Sequence, residues 1–212
     1  MRTVIQIILG IAILALAYLV YESIMTPIRF NKAKDVREQA AIERLIDIRE
    51  AQKAYKDVHT VYTSSFDTLI DFLKNDSFAI TKAIGTIPEE LIDELGSIRK
   101  AREAALERGL IRRETTKISV KDSLFDKDYP IDSLRYVPFT DGKHFKMEAD
   151  EFKTSSDLNV KVVEVSVLYE DLLKGLDPQL VVNYTYEREK IVKFPGLKIG
   201  SLTEGTLTGN WE

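Results

Sequence analysis

The chain contains no cysteine. That absence excludes disulfides, zinc-thiolate sites, iron–sulfur clusters and cysteine nucleophiles together. Histidine occurs twice, at His59 and His144, which leaves no basis for a histidine-rich metal site. Neither G-x-G-x-x-G nor G-x-x-x-x-G-K-[ST] occurs, so no phosphate cradle is signalled, and G-x-S-x-G is missing as well. No cofactor and no enzymatic activity are expected. Charge of one sign is also scarce: 30% of residues are charged but the net is −4, so bulk charge does not make the chain a binder of polyanions. Carboxylates are plentiful but unpaired by any motif. Asp126, Asp128 and Asp132 are the best oxygen-ligand candidates, yet Pro130 interrupts them and the EF-hand frame is lacking, so they read as a solvated turn.

A long apolar run is present. Thr3 to Tyr21 holds 19 residues without a charge, and only Gln6 is strongly polar. As a helix it spans about 28 Å, close to the thickness of a hydrocarbon core. Tyr18 and Tyr21 sit at one end, where aromatic rings favour the interface. Ala15-Leu16-Ala17 has the small-x-small form of a signal-peptidase site, but the apolar run continues past it, so an uncleaved anchor is expected. Only Arg2 and the α-amino group precede the span, whereas Arg29, Lys32, Lys34 and Arg37 follow it. A literal positive-inside count favours a cytoplasmic C-terminal domain. The very short N-terminal tail instead resembles a signal anchor, and the expectation is a single-pass inner-membrane protein with a periplasmic domain.

Three segments are expected: an anchor over 1–25, a stem helix over 26–63 and a globular domain over 64–212. Thr26-Pro27 is expected to break or kink the chain. Asn31 to Tyr55 has no Gly or Pro and is rich in helix formers. Its apolar stripe runs through Ala41, Leu45, Ile48, Gln52 and Tyr55, and it packs either on the chain's own domain or on a partner. Asp35, Glu38, Glu43, Arg44, Asp47, Arg49, Glu50 and Lys53 make its wet face, with Glu50 and Lys53 attracting each other. Helices follow at 66–75, from Pro88 and over 97–108, with a strand at 77–84. Alternation then predicts strands around Ile118 and Val120, at Leu134 to Pro138, from Phe145 to Ala149, through Val160 to Tyr169, and from Leu180 to Tyr186. Thr140-Asp141-Gly142-Lys143 is a turn signal, and the four-glycine tail from Phe194 to Trp211 reads as loop with a short strand. The fold class is α+β, with an antiparallel sheet of four to six strands and the helices set before it.

The succession Ala41, Leu45, Ile48, Ala51 and Tyr55, then His59-Thr60-Val61-Tyr62 and Ser65-Phe66-Asp67-Thr68-Leu69, resembles the type IV pilin and pseudopilin class over residues 3–73. The resemblance implies an N-terminal apolar helix continuing into an amphipathic one that packs on an antiparallel sheet, and a role in an envelope assembly. The class places a glycine before its mature N-terminus and a glutamate at the fifth mature position. Here no acid lies inside the apolar run, and Gly10 is followed by Ile-Ala-Ile-Leu-Ala. The layout also looks like the small bitopic envelope proteins of Bacteroidetes.

Charge is segregated along the chain. Residues 66–96 hold seven acids against two bases, and residues 97–113 hold six bases against two acids. No aromatic residue interleaves with the basic segment, so nucleic acid is not an expected partner. The expected interaction residues are Leu45, Ile48, Gln52 and Tyr55 on the stem, for apolar contact area, and Arg99, Arg102, Arg112 and Arg113, for orientation. The expected function is a membrane-anchored scaffold subunit of a secretion, motility or pilus-like machine, contacting other envelope proteins or its own copies. A membrane-tethered ligand- or glycan-binding domain is the alternative, and a tethered hydrolase a distant third.

Overall fold

The computed structural model describes residues 2–154 and 157–212, without the side chains of 79–83 and 113–116. The chain is α+β, with a long N-terminal helix and two antiparallel sheets of two and three strands. It divides into two compact units, Met1–Leu69 with Asp132–Glu212, and Ile70–Ile131. The second unit is an internal stretch of the globular domain expected over 64–212.

The first unit is built on α1 (Arg2–His59), one helix of 58 residues. It does not break at Thr26-Pro27. Pro27 removes a single ladder bond, and Thr26 Oγ1 and Arg29 Nη1 reach back to the Glu22 carboxylate at 3.3 and 3.4 Å across that turn. The N-terminal part is apolar and exposed, with Val4 to Tyr21 projecting Ile, Leu, Val and Tyr side chains outward. The C-terminal part buries Ala41, Leu45, Ile48, Ala51, Gln52 and Ala54. The helix ends at Thr60, whose φ of 64° turns the chain away.

Beneath α1 lies a sheet ordered β3 (Lys146–Lys153), β4 (Asn159–Leu168), β5 (Gly196–Gly200), all antiparallel. Met147 pairs with Val165, and Val165 with Ile199, so these three share a face. Gln52 meets Met147 Sδ at 3.0 Å, which puts α1 on that face. β5 ends in Gly200 at φ +71°, where a Cβ would strike the Val163 carbonyl. Asn210 secures the other edge of β5, donating to Gly196 O at 2.9 Å and accepting from Lys198 N at 3.1 Å.

Two expected strands of this unit are helical. Leu134 lies in a 3-10 helix, Ile131–Arg135, and Tyr136 makes only a single bridge to His144. The Leu180–Tyr186 run lies in a helix, Pro178–Val192. The Asp177 carboxylate accepts from Gln179 N and Leu180 N at 3.0 and 3.1 Å, and Pro178 occupies the first turn. These start signals outweigh the alternation. The ring of Tyr184 then turns inward while Val182 and Tyr186 stay exposed. A shorter helix, Tyr169–Leu172, precedes it.

The second unit is a two-stranded ribbon, β1 (Ser77–Ile84) against β2 (Arg112–Ser119), in register from Ser77↔Ser119 to Ile84↔Arg112. Val120 does not extend the strand but opens a helix, Val120–Leu124. Between the strands run two helices, Glu89–Leu95 and Ile98–Glu107. Gly96, at φ 62°, separates them and donates to Ile92 O at 2.9 Å. Leu91, Ala101, Ala105 and Ile111 form the core of this pair. A helix, Phe66–Asn75, crosses the boundary between the units.

Candidate functional site

The structure separates the two groups of expected interaction residues. Leu45, Ile48 and Gln52 are 0% exposed. They belong to the core under α1, and the first of the two packing alternatives holds: the stripe is spent on the chain's own domain and offers no surface to a partner. Tyr55 is half-buried, with its ring 4.4 Å from that of His59. Gln52 is polar in that core because both ends of its amide are used. Nε2 donates to Thr63 O at 2.7 Å, and Oε1 accepts from Thr63 N at 3.2 Å.

The cations of the stem, those of the expected wet face among them, are also partly spent. Arg37 Nη1 donates to the carbonyls of Leu172 and Lys174 at 3.1 and 2.9 Å. Arg44 Nη1 donates to Ser133 Oγ at 2.8 Å and to the Ser133 carbonyl. Arg49 pairs with Glu212 at 2.6 Å, and that hydrogen bond holds the Glu212 carboxyl below the usual carboxylate range. Glu50 and Lys53 pair at 2.8 Å, as their spacing predicts.

Near the start of the stem a polar cluster closes the first unit. Tyr184 Oη donates to Glu38 Oε1 at 2.6 Å. Lys34 Nζ stands 3.7 Å from Glu38 Oε2 and 4.5 Å from the centre of the Tyr184 ring. The fully buried ring of Tyr169 meets Tyr184 edge-on at 5.0 Å. Burial pushes both tyrosine hydroxyls above their ordinary value; the Glu38 charge adds to this at Tyr169, and the hydrogen bond to Glu38 adds to it at Tyr184. Sequence reasoning missed this cluster, which joins residues 146 positions apart.

The basic segment keeps its surface. In the helix Ile98–Glu107, Ala101 and Ala105 face inward, leaving Arg99, Arg102 and Glu103 together on the outer side. Arg99 and Arg102 make no ion pair or hydrogen bond among the described residues. Beside them Ile98 is 67% exposed. The preceding helix carries Glu89, Glu90, Asp93 and Glu94 in seven residues, so the pair presents an acidic helix packed on a basic one. Arg112 is exposed on the ribbon opposite Ile84. The side chain of Arg113 lies outside the described residues. Alanines at the interface let the two helices approach closely, with Leu91, Ile92, Leu95 and Leu106 packed between them and the charged side chains outside.

A cleft of about 300 Å³ opens on the sheet face away from α1, lined by Lys143, His144, Lys146, Glu164, Ser166 and Asp171 among others. Its charges are paired: Lys143 with Asp171 inside the cleft at 2.9 Å, and Glu164 and Lys146 with Lys198 and Glu148 beyond its lining, at 2.9 and 3.0 Å. Among the described residues no three His, Asp or Glu side chains converge as metal ligands, and Asp126 accepts only a turn bond from Tyr129 N, at 3.0 Å through its carbonyl. No family model, curated protein or solved structure matches this chain.

Proposed function

We propose that the protein is a single-span, non-enzymatic scaffold of the cell envelope with pilin-like architecture. Residues 3–21 would anchor it, and the unit Ile70–Ile131 would contact other envelope proteins or further copies. The observation that carries this reading is the continuity of α1, which is exposed and apolar over its first turns and core-forming over its last. Exposed apolar area of that extent finds its cover in lipid. Because the same helix is the spine of the domain, the domain stands on the membrane without a flexible linker, an arrangement suited to fixing partners in position. The charge-segregated helical pair supplies orientation, since potentials of opposite sign on adjacent helices select how a partner docks.

We place the domain in the periplasm. The cations after the span argue for the other side, and a reporter fused at the C-terminus decides between them. The test of the scaffold reading is purification of the tagged full chain from its native membrane in mild detergent, with mass spectrometry of the co-purifying proteins. Stoichiometric partners or long homomeric species are expected. Recovery of the monomer alone overturns the scaffold reading.

A second reading, a membrane-tethered binding domain, is favoured by the cleft around Lys143, His144 and Ser166, where polar groups of both signs converge. Saturable binding of a small polar ligand or glycan, lost on Ser166→Leu, would support it.

A further inference from the structure

Just past the apolar run, α1 and the loop that carries Phe139 form a shallow groove of about 440 Å³ lined by Arg29, Lys32, Ala33, Val36, Arg37 and Phe139. We infer that this face docks on the bilayer surface, with Arg29 and Lys32 on anionic lipid headgroups and Phe139 seated at the interface. The inference rests on the anchor reading above.

Three observations lead to it. First, exposed apolar side chains continue beyond Tyr21 to Ile24 and Ile28, at 54% and 52% exposure. Glu22 is the one charge between them, and its carboxylate is tied to Thr26 and Arg29. From Thr3 to Ile28 the helix measures about 39 Å, longer than a hydrocarbon core of about 30 Å, and such an excess is accommodated by tilt. Arg29 and Lys32 then enter the headgroup layer. Second, these two cations remain available. Arg37 is spent on the Leu172 and Lys174 carbonyls and Lys34 on Asp35 and Glu38. Arg29 pairs with Glu22 at 3.4 Å but leaves its side chain 60% exposed, and Lys32 is exposed with no ion pair among the described residues.

Third, Phe139 is held out on purpose-built backbone. It is 59% exposed and sits at φ 60°, a region that non-glycine residues rarely adopt. Its loop is closed beneath it: Val137 N donates to Lys143 O at 2.8 Å, and Thr140 Oγ1 to Val137 O at 2.7 Å. The fold leaves most of the ring exposed, so its further gain comes from outside. An aromatic ring beside two cations, on the helix that leaves the membrane, matches the chemistry of an anionic interface. Tilt toward this face lowers the ring to the bilayer and sets the direction of lean.

The chain has no cysteine, so Phe139→Cys provides one labelling position in the full-length protein. A spin label there is read in nanodiscs of phosphatidylcholine alone and of phosphatidylcholine with phosphatidylglycerol, by its accessibility to a water-soluble nickel chelate. Protection is expected in the anionic discs, and Lys32→Glu should reduce the docked population by about fivefold or more, with Lys32→Arg restoring it. Equal exposure of the label in both discs overturns the inference. Protection that follows the protein-to-lipid ratio instead of lipid charge assigns the groove to a second copy and also overturns it. Carbonate extraction of the same chain from membranes separates the two readings: protein that resists extraction but shows an exposed label defeats the docking alone, and protein that is stripped off defeats the anchor as well.

Discussion

Gln52, fully buried on α1, pairs both ends of its amide with the backbone of Thr63, eleven residues on in the chain. The pair converts the end of a 58-residue helix into a fixed turn, because Thr63 then accepts from Ser65 N at 3.1 Å and sets up the next helix. Gln52→Leu keeps much of the volume and leaves the Thr63 N–H and C=O without partners in the core. The expected loss is about 2–4 kcal/mol of unfolding free energy, read by urea denaturation in mild detergent. A loss of a few tenths would mean that the turn is held by something else.

The same pair shows where sequence reasoning reached and where it stopped. The three- and four-residue steps through Leu45, Ile48 and Gln52 mark one helical face, and the helix Phe66–Asn75 and the strand Ser77–Ile84 also follow from caps and β-branched content. Periodicity names a face but not its cover, so nothing in the stripe distinguished the chain's own sheet from a partner. Pairing is equally silent in sequence. Ser77 meets Ser119 across an intervening helical pair, and this long-range register is what makes residues 70–131 a unit of their own. Alternation misled at Leu180–Tyr186, where an Asp-Pro start signal stood directly in front of the run. Arg99 and Arg102 were legible as an exposed charge because charge itself resists burial. The Tyr184–Glu38 bond was not, since neither residue carries a local signal of the other.

The two sets of interaction residues can be told apart by stability. Leu45→Ala should cost about 2–5 kcal/mol, since Leu45 has no exposed surface and its removal leaves a cavity. Leu45→Arg should abolish the fold. The double change of Arg99 and Arg102 to Glu should leave the unfolding midpoint nearly unchanged, within about 0.5 kcal/mol, because both side chains are exposed and unpaired among the described residues. If the scaffold reading holds, it is this second variant that releases co-purifying partners from a folded protein. Co-purification that survives it intact would remove the helical pair from the interface.

The C-terminal tail is tied to α1 by Arg49 and Glu212 at 2.6 Å. Arg49 holds the Glu212 carboxyl below its ordinary value. The sign follows: a lowered pKa means that the tie is complete above the usual carboxylate range and is lost as the pH falls through the depressed value. Protection factors of the amides at 207–212, the exchange rates divided into the intrinsic rate at each pH, should therefore be high at neutral pH and fall in acid. Glu212→Gln should show the low protection already at neutral pH. Identical exchange in both chains would mean that Asn210, through its bonds to β5, holds the tail alone.

The tyrosine cluster gives the opposite dependence. Burial and the Glu38 carboxylate raise the Tyr184 hydroxyl above its ordinary value, and Tyr169 shifts the same way. A raised pKa in the folded state means that the stabilisation is fully present below the pKa of an unfolded tyrosine, about 10, and is lost as the pH rises past it, because the unfolded chain then ionises first. Urea midpoints of the wild-type chain should fall above about pH 10. Tyr184→Phe should cost about 1–2 kcal/mol at neutral pH by removing the 2.6 Å bond to Glu38. It should also flatten part of the alkaline fall, leaving the share that Tyr169 contributes. The phenylalanine ring keeps its edge-on contact with Tyr169 and its place under Lys34, so packing is preserved and the change reports the hydroxyl. An alkaline fall of undiminished steepness in that variant would assign the dependence to Tyr169 alone.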